Sequence, residues 1–375
     1  MAELGKATQS ELKAISSAFQ IYGDFVEGRP YGSGHINDTY QIDYSVGGAK
    51  MHYLLQRINH HVFTQPQSVQ QNILRVTRHI AEKLRAQGEQ DISRRTLTLI
   101  LTKEGEPVHH DAQGNWWRMY VFVEGASTYD QIQSTAQAEL VGEAFADFQN
   151  MVADLTDPRL HETIPNFHNT VKRYETLQAA IQKDAFNRAK DVKPEIAFVE
   201  ARAASFGRLL ERCAKGEIPE RVTHNDTKLN NVMLDDKTGR GICVIDLDTV
   251  MPGLALYDFG DMCRTSTANA AEDEQDLSKV YSRMDMFEAL ARGYCRGAKF
   301  LTPGEKEELA FSARLITMTI GIRFLTDYLS GDTYFHIKRP GHNVDRCRTQ
   351  LKMVQSMEEQ ADEMEAIVKK ALAEA

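Results

Sequence analysis

Apolar residues recur at helical spacing over 8–27, where Leu12, Ile15, Phe19 and Phe25 share one face, and the spacing predicts a helix there. The pattern then changes to short alternating runs, 39–44 and 51–58, separated by Val46, Gly47, Gly48 and Ala49. Alternation on both sides of a glycine pair predicts a β-hairpin. Pro66 opens a second helical stretch over 66–87, with Val69, Ile73, Val76 and Ile80 on one face. Two further strands are expected at 97–101 and 116–123, joined across the turn residues 111–115. Glu124, Gly125, Ala126 and Ser127 read as a crossing between two lobes. From about 134 onward helical spacing dominates, at 136–155, 194–215, 273–329 and 343–373. The exception is 221–250, where β-type runs at 232–234 and 242–245 surround a dense polar cluster. The pattern divides the chain into a small β-rich part, 1–125, and a larger, mainly helical part, 126–375, an α+β organisation.

Composition narrows the partners. With 375 residues and 42% hydrophobic positions there is material for two cores. A mean hydropathy of −0.43 describes a soluble surface, and no stretch reads as a membrane span. The net charge is −9 and the cations are scattered, which argues against nucleic acid. Five cysteines without a CxxC pair suit reduced thiols in a cytoplasm. The start of the chain is polar and amphipathic, unlike a secretory leader. No obligate protein partner is evident.

The chemistry concentrates in Thr223-His224-Asn225-Asp226-Thr227-Lys228-Leu229-Asn230-Asn231. Phosphoryl transfer needs a carboxylate beside the attacking hydroxyl and oxygen ligands that hold Mg²⁺ against ATP phosphates. Asp226, with Asn231 five residues on, supplies both from one loop. A second carboxylate is expected at a strand end, and the apolar run 242–245 leads into Asp246, Leu247 and Asp248. Asp258-Phe259-Gly260 spells the triplet that binds metal in protein kinases. Asp246 is nearer to Asn231 and follows the apolar strand directly, so it is read as the metal ligand and Asp258 as a structural residue behind the loop.

His224-Asn225-Asp226, Asn231 and Ile245-Asp246-Leu247-Asp248 resemble the H-G-D-x-x-x-x-N and I-D-x-[DE] motifs of the aminoglycoside phosphotransferase and choline kinase superfamily. The stretches 31–40, 53–59, 164–168 and 321–328 resemble its N-acetylhexosamine 1-kinase branch. The resemblance implies a bilobal protein-kinase-like fold and transfer of phosphate from ATP to a small-molecule hydroxyl. For that branch the hydroxyl would be the anomeric 1-OH of an N-acetylhexosamine. It further implies Asp226 as catalytic base and substrate contact, Asn231 and Asp246 as Mg²⁺ ligands, and Asp248 as a second metal contact, directly or through water.

In a kinase-like fold Gly32, Ser33 and Gly34 would turn over the phosphates, and Val121 and Val123 would line the adenine. The strand that carries a phosphate-binding lysine in related kinases reads Tyr53-Leu54-Leu55-Gln56-Arg57 here, so Arg57, whose fork can grip two oxygens, is the expected replacement, with Gln56 as the alternative. Residues 68–72 hold no acid to pair with it. His35, Asn37, Arg323 and Tyr334 are the expected sugar contacts, although Arg323 is also spaced for a helical ion pair with Asp327. Choline, homoserine, methylthioribose or an aminoglycoside remain alternative acceptors, and a nucleotide-binding pseudokinase is the rival of another class.

Overall fold

The computed structural model describes residues 7–32, 36–132 and 134–375. It divides into two compact units. One comprises the chain up to Ser127 together with Asp157–Ile164 and Met233–Met251; the other comprises Thr128–Thr156, Pro165–Val232 and Pro252–Ala375. The first unit thus takes in two segments that the sequence pattern assigned to the part beyond 125.

The first unit is built on a six-stranded antiparallel sheet. Helix α1 (Gln9–Ser16) precedes strands β1 (Asp24–Pro30), β2 (Asp38–Val46) and β3 (Ala49–Ile58), followed by helix α2 (Pro66–Ala86) and strands β4 (Leu99–Ile100), β5 (His109–His110) and β6 (Trp116–Val121). The order is β1-β2-β3-β6-β4, with β5 also on β6. The expected helix over 8–27 is therefore wrong beyond its first half. A Thr8–Glu11 capping box starts α1, but Phe19 bridges to Thr102 and Gly23 turns the chain at φ +97° into β1. Expected strand 97–101 shrinks to two residues, and β5, too short to show alternation, was not expected. Alternate positions of β2, β3 and β6 face one way: Tyr40, Ile42, Tyr44, Tyr53, Leu55, Trp117 and Met119 form a buried cluster with Leu12 and Phe19. Within the same unit Ala126–Ser127 pairs with Val232–Asp235, which pairs in turn with Gly241–Val244.

The second unit is helical. The expected single helix over 194–215 is instead Lys193–Glu200 and Arg208–Ala214, separated by a 3₁₀ turn at Ala203–Ser205 that the Ser205 hydroxyl tightens by bonding the Arg202 carbonyl. Residues 273–283 carry only a short 3₁₀ turn, so the helices of that region are Met284–Gly297 and Pro303–Leu329. Among the described residues Pro303–Leu329 is the one helix long and apolar enough to cross a bilayer, against the expectation that none would be. It is mostly buried within the unit, and a core helix has that same composition.

Thr135–Val152 and Met284–Gly297 pack at glycine contacts. A Cβ on Gly293 would lie 2.0 Å from the Glu139 carbonyl oxygen, and one on Gly142 would lie 2.4 Å from that of Leu290. Backbone on both sides leaves nothing to yield. Gly293→Ala is expected to lower the stability of the second unit by ~1–3 kcal/mol, as overpacking does. Calorimetric unfolding of the variant would show this, and an unchanged transition would refute the close approach.

Candidate active site

In the second unit, strand Arg221–Thr223 leads into the polar loop, which ends in a 3₁₀ turn at Leu229–Asn231. Thr223, His224, Asn225 and Thr227 are buried, so their backbone polar groups need partners inside the protein. Helix Ala255–Ser266 provides them. The Asp258 carboxylate accepts the N–H groups of His224 at 2.9 Å and Asn225 at 2.7 Å, and also Gln149 Nε2 at 2.7 Å. Its backbone carbonyl accepts the Thr227 hydroxyl, and Asp261 accepts the Thr227 N–H at 2.9 Å. Asp261 is fixed by Arg264; burial opposes its charge, yet Arg264 prevails and holds its carboxyl below the usual range. Burial pushes the Asp258 carboxyl up to about 7 even though its N–H donors pull the other way. Asp258 thus sits behind the loop, as its place in the sequence implied.

Asn225 takes a left-handed conformation, φ +66°, which asparagine tolerates better than most residues. Glycine stands at this position in the motif that the chain resembles. His168 Nε2 donates to the Asn225 carbonyl at 3.0 Å, while its buried Nδ1 has no partner. The loop so braced presents Asp226, whose side chain is partly exposed and lies 2.8 Å from Lys228 Nζ. Burial works against the charge on Lys228, but the Asp226 carboxylate outweighs it and raises the ammonium pKa. Asn231 Nδ2 bonds the Asp226 carbonyl at 2.7 Å and its carboxylate at 3.1 Å, which leaves Oδ1 as an acceptor.

The other acidic strand end belongs to the first unit. After Gly241–Val244, Asp246 adopts φ 57°, ψ 57° and is exposed. Asp248 is not: its side chain is 2% exposed, with both oxygens held by the Arg118 guanidinium and one also accepting Asn37 Nδ2 at 2.7 Å. A carboxylate so occupied and buried offers a metal less than the exposed Asp246 does. Asn37 likewise spends its oxygen on the Asn59 N–H, so its amide shapes this unit at both ends. Asn72, on α2, bonds the carbonyls of His161 and Val250 and anchors the same segment without an acid.

Arg57 is held within the first unit. It shares the face of Leu55 and Tyr53, bonds Asp38 at 2.6 and 2.8 Å, and lies over the Trp117 ring. The opposite face carries Gln56, which bridges Thr39 and Arg118, and hence the Arg118–Asp248 pair. The cation beside the Asp246 segment is therefore Arg118. Gly32 is exposed at φ +77° with open space where a Cβ would be; Ser33, Gly34 and His35 lie outside the described residues. Val121 donates its N–H to Thr98, and Val123 is buried.

Arg323 and Tyr334 do come together, Arg323 Nη2 donating to the tyrosine oxygen at 3.3 Å. The alternative ion pair with Asp327 does not form. Asp327 accepts the N–H groups of Thr333, Tyr334 and Phe335 and an amide N–H of Asn343, so it shapes the turn that carries Tyr334. Sequence reasoning passed over Asp261, Lys228, Arg118 and Arg173. The first two recur at short spacing from Asp258 and Asp226, a signal that was legible. Arg118 and Arg173 lie on ordinary periodic segments, and nothing in the pattern distinguishes them.

Among the described residues no group of three or more His, Cys, Asp or Glu side chains is arranged for a metal ion. Magnesium held largely by nucleotide phosphates needs only one or two protein oxygens, and the exposed Asp246 carboxylate and the Asn231 Oδ1 are each of that kind.

Two stability consequences follow from these buried groups. Burial pulls the His168 pKa down to about 4. The unfolded chain then takes up a proton below about pH 6.5 that the folded chain refuses. Stability present above that pH is lost as pH falls towards 4, by ~3 kcal/mol at most. Thermal unfolding across this range should show a shallower acid slope in His168→Gln; equal slopes would contradict the assignment. Arg118→Met strands a buried charge on Asp248 and is expected to cost ~3–5 kcal/mol, much of which Arg118→Met/Asp248→Leu should restore. Denaturant midpoints of the two variants measure this, and a harmless single variant would refute the pairing.

Known proteins can now be set beside this geometry. The model of the phosphotransferase enzyme family (APH) matches residues 27–297. A microcompartment-associated aminopropanol kinase superposes with a TM-score of 0.57 at 14% identity, covering 95% of this chain and 98% of its own. An aminoglycoside phosphotransferase from Alicyclobacillus acidocaldarius gives 0.55 at 12%, covering 96% and 94%. Spectinomycin phosphotransferase APH(9)-Ia, in complex with ADP and spectinomycin, gives 0.54 at 12%, covering 95% and 100%. At such identities the likeness is one of fold, and it is the kinase-like fold expected from the motifs. With the match spanning most of its length and the Asp226 loop inside it, the chain belongs to the phosphotransferase enzyme family.

Proposed function

We propose that this protein transfers the γ-phosphoryl group of Mg-ATP to a hydroxyl of a small molecule, with the anomeric 1-OH of an N-acetylhexosamine as the acceptor. The observation that carries the reading is the Asp226 loop, braced by Asp258, Asp261 and His168 within one unit. Bracing matters because phosphoryl transfer depends mainly on positioning and electrostatic stabilisation.

Asp226 accepts the proton of the attacking hydroxyl. Lys228, 2.8 Å away, lies against that carboxylate and puts a positive charge where the phosphoryl group accumulates negative charge. Asn231 fixes the carboxylate through its amide nitrogen. Asn231 Oδ1 and Asp246 are each assigned as oxygen donors to magnesium, which when bound neutralises phosphate charge. Gly32 and its neighbours, with Val121 and Val123, are assigned to the nucleotide. Arg118 positions the Asp246 segment through Asp248, and Arg57 has no assigned contact.

Arg323 and Tyr334 are assigned to the acceptor, with His35 from the sequence pattern. Choline fits less well than a sugar. The rings that would cage its ammonium, Phe167, Tyr334 and Phe335, already surround the Arg323 guanidinium at 4.7, 5.6 and 5.4 Å.

ADP release with Mg-ATP tests the reading on N-acetylglucosamine, N-acetylgalactosamine, glucose, galactose, choline, homoserine, methylthioribose and kanamycin. Turnover of an N-acetylhexosamine with phosphate on the anomeric oxygen is expected, falling ~10²–10⁴-fold in Asp226→Asn while ATP binding persists. Turnover that survives this substitution would discard Asp226 as the base, and turnover only on another acceptor would discard the hexosamine.

A further inference from the structure

Helix Thr170–Lys183, the C-terminal end of Pro303–Leu329 and the turn after it enclose a cavity of about 220 Å³ in the second unit. That is smaller than the ~300–1,000 Å³ of pockets for drug-sized ligands and suits one small molecule or part of one. Arg173 and Arg323 both line it. Each is less than half exposed, and neither has an ion-pair partner among the described residues. A guanidinium carries five N–H donors. Arg173 spends one, on the Phe167 carbonyl at 3.2 Å, and Arg323 spends one, on Tyr334.

The carboxylate that also lines the cavity, Asp327, is occupied by three backbone N–H groups and an amide. Burial, with Arg323 next to it, brings the Arg173 pKa down to about 10, and burial lowers that of Arg323. Two desolvated cations lining one cavity repel each other, and an anion between them would relieve that cost with charge-assisted, forked hydrogen bonds.

The cavity also communicates with the Asp226 loop. Phe167, under the Arg323 guanidinium at 4.7 Å, precedes His168, which bonds the Asn225 carbonyl. One aromatic segment thus touches a cation of the cavity and braces the loop.

We propose that the Arg173–Arg323 pocket binds an anionic substituent, a carboxylate or a phosphate ester, carried by the acceptor, so that the preferred substrate is an acidic sugar rather than a neutral one. This rests on the sugar-kinase reading above and deepens it. Arg173 acts here as a specificity residue, and a salt-sensitive preference for acids is its signature.

The test measures binding and turnover separately. Calorimetry, with and without a non-hydrolysable Mg-ATP analogue, compares N-acetylglucosamine with N-acetylmuramic acid and N-acetylglucosamine 6-phosphate, and glucose with glucuronic acid and glucose 6-phosphate. At least one acid should bind on the order of tenfold to a hundredfold more tightly than its neutral parent. That advantage should vanish in Arg173→Gln and persist in Arg173→Lys. Whether the carboxylates or the phosphates gain most identifies the anion. If no acid outbinds its parent, or if Arg173→Gln leaves the preference intact, the proposal is overturned. ADP release on the same sugars separates the two readings. Rapid turnover of neutral sugars without acid preference removes only the anion pocket, whereas tight acid binding that never leads to turnover removes only the kinase.

Discussion

Behind the loop that carries Asp226 sits a carboxylate with no access to water, and the shape of the loop depends on it. Asp258 accepts two consecutive backbone N–H groups, those of His224 and Asn225, together with the amide of Gln149. Both N–H groups point at this one carboxylate, and directly after them Asn225 takes the left-handed conformation. Asp261 repeats the device one helical turn later, on the Thr227 N–H. Helix Ala255–Ser266 therefore acts as a template whose two acidic side chains prescribe the backbone path. Asp226, between the bonded positions, is left to point elsewhere.

The first unit uses a buried ion pair for an equivalent purpose. Arg118 and Asp248 are both almost inaccessible, and a pair in that environment contributes little net stability against the cost of desolvation. Its value lies in registry. Gln56 orients the guanidinium from the neighbouring strand, Asn37 binds the carboxylate from the start of β2, and Asn72 secures the chain two residues further on. Polar contacts from three elements thus fix the segment that ends in Asp246.

Much of this was legible before the structure. The hairpin of β2 and β3, helix α2 and the strand preceding Asp246 follow from alternation, helical period and glycine placement, because each has one buried face. The helix expected over 8–27 failed because Phe25 fits a strand face as well as a helix face, and only pairing with β2 decides between them. Among the polar residues, spacing identified the Asp226 loop and the structural character of Asp258. It did not reveal that Arg57 shares the face of Tyr53 and Leu55, since a strand residue's face follows from parity, and the sequence does not show which parity faces α1. The pairing of Asp248 was hidden for a related reason: its partner Arg118 is 130 residues away, beyond any local pattern.

The turn at 332–335 owes its path to contacts made by its backbone. Asp327, with Asn343 beside it, grips main-chain N–H groups at Thr333, Tyr334 and Phe335, so the path of the turn does not rest on the side chains of those three residues alone. Form and chemical identity are thereby uncoupled over a short stretch of chain. Selection, natural or in the laboratory, can replace the groups displayed there without rebuilding the scaffold that displays them, provided Asp327 is kept. A fold gains an economical route to new surface chemistry when the groups it displays hang from a backbone that is anchored in part by other residues.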